Sequence, residues 1–214
     1  MLVHGAGFRD DTGIFNYWGR IPKKLTDKGA LVLYSAHDAW GSIEKCAEQI
    51  NNSINEYREE YHFEKINIIA HSKGGLDSRY LISTLNKGHI IASLTTISTP
   101  HHGSKTLDIV YKLPPKLFGI ISPIVSKYFT LLGDKNADFG NALRSFSTES
   151  AKKFNKENID DPNVKYQSYA GKMKTPLSDI LFFWQNILIK IIEGDNDGLV
   201  SVESAKYGQF NGII

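Results

Sequence analysis

The segment Ile66–Gly75, INIIAHSKGG, places a serine in the setting that a nucleophilic hydroxyl needs. Its apolar first half is typical of a buried strand, and the two glycines after Ser72 are typical of a sharp turn into a helix. Such a turn lifts the hydroxyl clear of the backbone at the positive end of the helix. Small residues, Ala70 and Gly74, are expected where neighbouring backbone leaves no room for a larger side chain. The motif reads A-x-S-x-G, with Ala70 where glycine is usual.

The same residues also fit a plain strand–turn–helix connection of a parallel α/β domain, in which Ser72 is only the helix N-cap. A serine hydroxyl is a poor nucleophile at neutral pH. It needs a base that takes its proton, an acid that orients the base, and backbone N–H groups that bind the oxyanion. The nucleophilic interpretation therefore depends on finding these partners elsewhere in the chain.

Two backbone N–H groups are candidates for the oxyanion hole. The run His4–Gly7, HGAG, follows the first predicted strand, and the glycines on either side of Ala6 let N–H groups point at a substrate oxygen. A plain tight turn is the other interpretation of this run. The second donor is the N–H of Lys73, directly after the nucleophile. We expect the side chain of Lys73 to be solvated.

The acid is expected near the end of the chain, in the run Asp195–Val200, DNDGLV. An acidic residue in a turn after a late strand suits the order serine, acid, histidine that this architecture uses. Asp197 is favoured over Asp195 because it directly precedes the glycine that closes the turn. A calcium-like loop and a merely polar turn are the alternatives.

The elements that must position these residues alternate between short apolar strands and helices. This alternation predicts a parallel sheet with helices on both faces, an α/β fold whose functional groups gather at the carboxyl ends of the strands. Ser72, His4 and the run Thr99–His102 lie at such ends. The predicted strands are Leu2-Val3, Ala30–Tyr34, Ile66–Ala70, Ile91–Ser98 and Val164–Ala170, and the predicted helices are Tyr17–Lys28, Ser42–Tyr61 and Lys73–Leu85.

Residues 103–163 interrupt the alternation. Within them, Leu113–Leu132 is unusually apolar and is broken into short pieces by prolines and a glycine. We expect a helical cap over the site, whose apolar face contacts lipid. A pair of core helices is the alternative. Residues 1–214 are interpreted as a single domain that is incomplete at both ends, because the chain begins inside a predicted strand.

Composition limits the possible classes of function. The chain is 41% hydrophobic and 22% charged, as in an ordinary globular domain. Its net charge of +2, spread along the sequence, does not indicate a nucleic-acid partner. Cys46 is the only cysteine, so no intrachain disulfide forms. No metal-ligand spacing and no phosphate-binding or dinucleotide-binding motif occurs, so we expect no metal and no cofactor. Nothing in the sequence indicates a partner protein or a compartment.

Motifs of this chain occur in the order found in bacterial triacylglycerol lipases of the α/β-hydrolase superfamily, and the chain resembles them over nearly its whole length outside residues 103–163. The resemblance implies a carboxylic ester hydrolase that acts on acylglycerols or small esters through an acyl-enzyme. It implies that Ser72 is the nucleophile and Asp197 the acid. It assigns the N–H groups of Ala6 and Lys73 to the oxyanion hole. The motifs are LVHGAG at Leu2–Gly7, AHSKGG at Ala70–Gly75, STPHHGS at Ser98–Ser104 and NDGLVSV at Asn196–Val202.

The histidine that the resemblance implies after the acid is missing, since His102 is the last histidine of the chain. We expect the natural protein to continue past Ile214 and to supply it, which leaves the 214-residue chain nearly inactive. One alternative is that His101 or His102, at the end of the strand beside the turn, substitutes for it. Another is a non-catalytic module that binds acyl ligands or a protein. Phospholipase, thioesterase and acyltransferase activities are alternatives on the same fold.

Overall fold

The computed structural model describes residues 1–8, 10, 17–110, 134, 135 and 137–214. In this part of the chain, one sheet holds five strands in the spatial order β1 to β5, and every neighbouring pair is parallel. The parallel sheet predicted from the sequence is therefore confirmed. The strands are β1 (Leu2–Val3), β2 (Ile66–His71), β3 (Ile91–Ile97), β4 (Lys165–Ala170) and β5 (Gln209–Ile213).

The helices follow the strands along the chain. The longest described helix begins after Ser42, whose hydroxyl accepts a hydrogen bond from the Lys45 N–H, as expected for an N-cap. None of the described helices combines the length and the apolar character needed to cross a membrane. The helices are α1 (Ile21–Thr26), α2 (Ile43–Tyr61), α3 (Lys73–Ser83), α4 (Lys105–Val110), α5 (Phe139–Arg144), α6 (Thr148–Glu157), α7 (Phe183–Glu193) and α8 (Val202–Ala205).

The main hydrophobic core lies between the first three strands and helices α2 and α3. Alternate residues of β2 face this core and are buried, as the period of a strand requires. Ile54 of α2 and Leu81 of α3 are fully buried in the same cluster. Burial of each such side chain contributes roughly 1.5–3 kcal/mol. The core therefore fixes α3 on the sheet and, with it, the turn that joins β2 to α3.

Two parts of the sheet differ from the sequence prediction. Ala30–Tyr34 forms no strand, and only Tyr34 makes a bridge to Leu2. This bridge consists of two hydrogen bonds, from the Leu2 N–H to the Leu33 carbonyl at 2.8 Å and from the Ser35 N–H to the Leu2 carbonyl at 3.1 Å. Strand β5 was not predicted, because its Gln, Asn and Gly residues have low strand propensity, yet it pairs with β4.

Residues 103–163, expected to form a cap, are only partly described, and Leu113–Leu132 lies outside the described residues. Helix α6, in the second half of this range, packs near α3. Asn155 accepts a hydrogen bond from Arg79 Nη1 at 2.6 Å, and Asn158 Oδ1 accepts one from Thr84 at 2.7 Å. The cap over the site stays a prediction.

Candidate active site

Ser72 stands between β2 and α3 with φ 53° and ψ −129°, a conformation that residues with a side chain rarely adopt. Two neighbours hold the turn: the Ser72 N–H donates to the Ile97 carbonyl at 2.9 Å, and the Thr99 hydroxyl donates to the Ser72 carbonyl at 2.8 Å. The Ser72 hydroxyl does not cap α3. It has no hydrogen-bond partner among the described residues, so it is left available to a ligand or a base.

Small residues are required around this turn, as predicted. A Cβ added to Gly74 would lie 2.4 Å from the carbonyl oxygen of His4, which is far inside van der Waals contact. A Cβ added to Gly5 would lie 2.7 Å from the Cβ of Ser72. The loop after β1 and the start of α3 therefore approach so closely that only glycine fits at these two positions, which brings Ala6 close to Ser72.

The N–H groups of Ala6 and Lys73 have no acceptor in the described part of the chain. Lys73 is the first residue of α3, and the N–H groups of a first turn have no intrahelical acceptor. The helix dipole favours a negative charge at the same place. The residues on either side of Ala6 are fixed by hydrogen bonds. The Gly7 N–H donates to the Ala39 carbonyl at 3.0 Å, and the Gly5 N–H donates to the Tyr17 hydroxyl at 2.9 Å.

Asp197 lies at the carboxyl end of β4. A Cβ added to Gly171, the residue after that strand, would lie 3.0 Å from the Cβ of Asp197. Oδ1 of Asp197 accepts the N–H groups of Leu199 and Val200 at 2.9 and 2.8 Å. Gly198 has φ 101°, a left-handed conformation that explains a glycine at the close of the turn. Oδ2 has no hydrogen-bond partner among the residues that the structure describes, so it can accept a hydrogen bond from a further group.

Side-chain amides anchor the turn that carries Asp197. The buried Asn196 accepts a hydrogen bond from Asn186 Nδ2 of α7 at 2.8 Å and donates to the carbonyl of Asn186 at 3.2 Å. Asp195, the other acid of this run, forms ion pairs with two lysines at 2.6 and 3.0 Å. Its carboxylate is therefore engaged at the surface, whereas Oδ2 of Asp197 has no partner in the part of the chain that the structure describes.

A cavity of about 280 Å³ lies between the loop after β1, the Ser72 turn and the turn after Asp197. Its wall contains Ser72, Ala6 and residues 198–200, which directly follow Asp197. An apolar cavity with a few polar groups at one place is the usual form of a site for an apolar ligand. Large apolar residues of several elements make up much of the remaining wall, among them Trp40, Leu107, Leu143, Phe146, Leu188 and Ile189.

None of the histidines in the described ranges lines this cavity. Nδ1 of His71 is hydrogen-bonded to the hydroxyl of Tyr17, and burial lowers the pKa of His71. His101 is fully buried, and its ring stacks on Tyr207 with the centroids 4.3 Å apart. His102 is exposed, and its Nε2 donates to a backbone carbonyl at 3.1 Å. The structure therefore brings neither His101 nor His102 to the cavity.

The side chain of Lys73 is buried, so the expectation that it is solvated is wrong. Its ammonium donates to both carboxylate oxygens of Asp77, at 2.7 and 2.9 Å, one turn later on α3. Both side chains are at most 1% exposed. The four-residue spacing was visible in the sequence, but the sequence did not show that this face of α3 lies inside the protein.

The described residues include one group with metal-ligand reach: a nitrogen of His37, the sulfur of Cys46 and an oxygen of Asp77 lie within 4.8 Å of one another. The ammonium of Lys73 bonds to the Asp77 oxygens of this group. Burial alone would lower the pKa of Lys73, but the carboxylate of Asp77 and the thiol of Cys46 raise it by more. The group therefore already holds a cation of its own.

Known proteins are similar to this chain in sequence. The sequence model of the palmitoyl protein thioesterase family matches residues 2–170. Triacylglycerol lipase 2 of Saccharomyces cerevisiae is 31% identical over 204 residues, which cover 92% of this chain and 59% of the yeast protein. A triacylglycerol lipase of Vibrio cholerae is 28% identical over 232 residues, which cover 98% of this chain and 74% of that protein. The chain thus spans 59% of the length of the yeast relative.

Solved structures are similar to it in fold. The mature lipase BlEst2 of Bacillus licheniformis matches with a TM-score of 0.75 and 22% identity, over 99% of this chain and 82% of that chain. EstA of Clostridium botulinum matches with a TM-score of 0.67 and 20% identity, over 100% of this chain and 79% of that chain. Likeness at this identity shows the fold alone, and it confirms the predicted α/β-hydrolase fold.

Replacement of Tyr17 by phenylalanine tests the bridge between the loop after β1 and the turn that carries Ser72. The Tyr17 hydroxyl contacts the Gly5 N–H and the His71 ring, and phenylalanine leaves both groups without this partner. We expect the free energy of unfolding in urea to fall by about 1–3 kcal/mol. Tyr61→Phe at the exposed end of α2 is the control and should change it by less than about 0.5 kcal/mol. Equal effects of the two substitutions would contradict the bridge.

Proposed function

This chain belongs to the palmitoyl protein thioesterase family of α/β-hydrolases, and from that premise we propose that it is a carboxylic ester hydrolase with Ser72 as its nucleophile. We propose acylglycerols as its substrates, because the yeast and Vibrio relatives are named triacylglycerol lipases. Ser72 forms the acyl-enzyme, Asp197 is the acid, and the N–H groups of Ala6 and Lys73 bind the oxyanion.

One observation carries this proposal. The hydroxyl of Ser72 is held in a strained turn, without a hydrogen-bond partner among the described residues, at the wall of an apolar cavity. Backbone strain of this kind costs roughly 1–3 kcal/mol and persists only where the surrounding structure enforces it. An N–H group at a helix N-terminus beside such a hydroxyl is the arrangement that acyl transfer uses.

The proposed reaction follows from these positions. Oγ of Ser72 attacks the ester carbonyl carbon while a histidine base takes its proton, and the N–H groups of Ala6 and Lys73 bind the oxygen that becomes negative. The intermediate collapses, and the alcohol leaves with the proton from the imidazolium. Water, deprotonated by the same base, then releases the acid and restores Ser72. Oδ2 of Asp197 accepts the other N–H of the imidazole and stabilises its charged form.

A thioesterase is the second candidate, because the family that matches residues 2–170 is described as palmitoyl protein thioesterase. Ser72 and the same N–H groups serve both reactions, since thioesters and oxygen esters pass through similar tetrahedral intermediates. A pair of substrates with one acyl chain, an oxygen ester and a thioester, separates the two. The higher kcat/KM identifies the class after correction for the uncatalysed rates.

An exposed apolar surface supports contact with lipid. What we call the α7 surface comprises five side chains, from α7 and from the segment directly before it. They are between 73% and 85% exposed. Exposed apolar patches of this kind mark interaction sites. A neighbouring face of α7 lines the cavity. We therefore assign the contact with lipid to this surface, outside residues 103–163 where a cap was expected. The five residues are Leu177, Ile180, Leu181, Trp184 and Ile191.

Removal of the Ser72 hydroxyl tests the nucleophile. In the full-length protein, Ser72→Ala should lower p-nitrophenyl ester turnover by about a thousandfold or more and abolish labelling by a fluorophosphonate probe. Ser83→Ala, at the far end of α3, is the matched control and should keep both. Turnover that survives in Ser72→Ala would refute the proposed function.

Free imidazole tests the proposed need for a base. A general base contributes on the order of a hundred- to ten-thousandfold in rate. Residues 1–214 expressed alone should therefore turn over esters slowly, and imidazole in the buffer should raise the rate with increasing concentration. Ser72→Ala supplies the background of direct hydrolysis by imidazole. The same imidazole dependence in both proteins would show that Ser72 is not the group that the base activates.

Polar substitutions on the α7 surface test the contact with lipid. Trp184→Ser combined with Ile191→Ser should lower the rate on an emulsified ester about tenfold, because less apolar area enters the lipid phase. The rate on a soluble short-chain ester should not change. Ile159→Ser is the control, since Ile159 is 67% exposed but lies outside this surface. Equal losses on both substrates would argue against interfacial contact.

A further inference from the structure

A buried polar cluster lies behind the proposed oxyanion hole. We define it as the side chains of Lys73, Asp77, His37 and His4, none of which is more than 4% exposed. Charged side chains are almost never buried to this extent unless they are paired, because loss of hydration is costly. The chemical steps proposed above use none of these four side chains.

The cluster forms a continuous series of contacts. The ammonium of Lys73 bonds to both oxygens of Asp77, and Oδ2 of Asp77 lies 3.7 Å from Nε2 of His37. The rings of His37 and His4 stack with their centroids 3.8 Å apart and 12° between their planes. Nε2 of His4 lies 3.1 Å from the His37 carbonyl oxygen, and its Nδ1 lies 3.0 Å from that of Gly5.

The two ends of this series are the two sides of the oxyanion hole. Lys73 itself carries one N–H donor, and Gly5 directly precedes Ala6, which carries the other. The donors belong to different elements, α3 and the loop after β1, so their separation depends on the contacts that hold those two elements together. Donors must lie about 2.7–3.1 Å from the oxyanion. A misplacement of about 1 Å costs on the order of a hundredfold in rate.

We propose that the Lys73–Asp77 ion pair, acting through His37 and His4, sets the distance between the N–H groups of Ala6 and Lys73. The four side chains are positioning residues, and the inference rests on the proposed function. A buried ion pair adds little net stability over apolar residues of the same volume. Its directional hydrogen bonds fix an arrangement that apolar packing would let slide. The pair therefore serves geometry more than stability.

The double variant Lys73→Met with Asp77→Leu tests the ion pair. It keeps the N–H of residue 73 and leaves no single charge buried, so it should fold where either single substitution would strand a charge. In the full-length protein we expect kcat on a p-nitrophenyl ester to fall at least tenfold, while KM stays within twofold. The matched control is Lys23→Met with Asp27→Leu. It removes an exposed ion pair with the same four-residue spacing and should keep the wild-type kcat.

His37→Phe tests the next contact. Phenylalanine keeps a ring to stack on His4 and removes Nε2, which faces Asp77, together with Nδ1, which lies 2.8 Å from the Ser35 hydroxyl. We expect a several-fold fall in kcat at unchanged KM, and this variant decides the question if the double variant does not fold. A wild-type kcat in the folded double variant, or in His37→Phe where that is the only folded one, would mean that the cluster is structural only and would overturn the inference.

The amide NMR resonance of Ala6 supplies a readout that needs no turnover. Ala6 is not substituted, so a shift of its N–H resonance in Lys73→Met/Asp77→Leu reports that the ion pair acts on the opposite loop. The control variant Lys23→Met/Asp27→Leu should leave the Ala6 resonance unmoved. If Ser72→Ala retains turnover, the proposed function fails. The Ala6 resonance then remains as the test of whether the ion pair positions the loop that carries Ala6. An unmoved Ala6 resonance overturns the inference.

Discussion

The near contact between the start of α3 and the loop after β1 is the constraint on which the rest of the site depends. Gly74 faces the His4 carbonyl at a distance that admits no Cβ, and Ser72 takes a positive φ to make the turn. Because the elements approach so closely there, the loop that carries Ala6 lies beside the turn that carries Ser72 and Lys73. A wider gap would separate the proposed donors, and a bulky residue would open it.

The buried Lys73–Asp77 ion pair lies beneath this contact. An ammonium and a carboxylate at this depth are costly to dehydrate, and apolar residues would fill the same volume at lower cost. The apolar cluster between the same elements is built from side chains such as Ile54 and Leu81. The Lys73–Asp77 pair lies where the separation of two elements matters to the chemistry proposed for Ser72.

Helix α7 connects the apolar cavity with the exposed apolar surface. It lines the cavity beside Ser72, anchors the Asp197 turn through Asn186, and carries part of the exposed apolar surface. An acyl chain of the proposed substrate that arrives from a lipid phase would therefore meet the helix that also holds Asp197 in place. We propose oxygen esters and thioesters of long acids as substrates, because the relatives are named lipases and the matching family is described as palmitoyl protein thioesterase.

The sequence by itself determined what depends on near neighbours in the chain. The strand before Ser72, the tight turn, the cap at Ser42 and the parallel sheet all follow from local propensity and period. The tertiary structure alone decided which polar groups lie inside. Lys73 was expected in solvent, yet α2 and the loop at His37 cover that face of α3, so its charge pairs with Asp77. An apolar run can predict burial from the sequence, but the burial of a charged side chain depends on which elements pack against it.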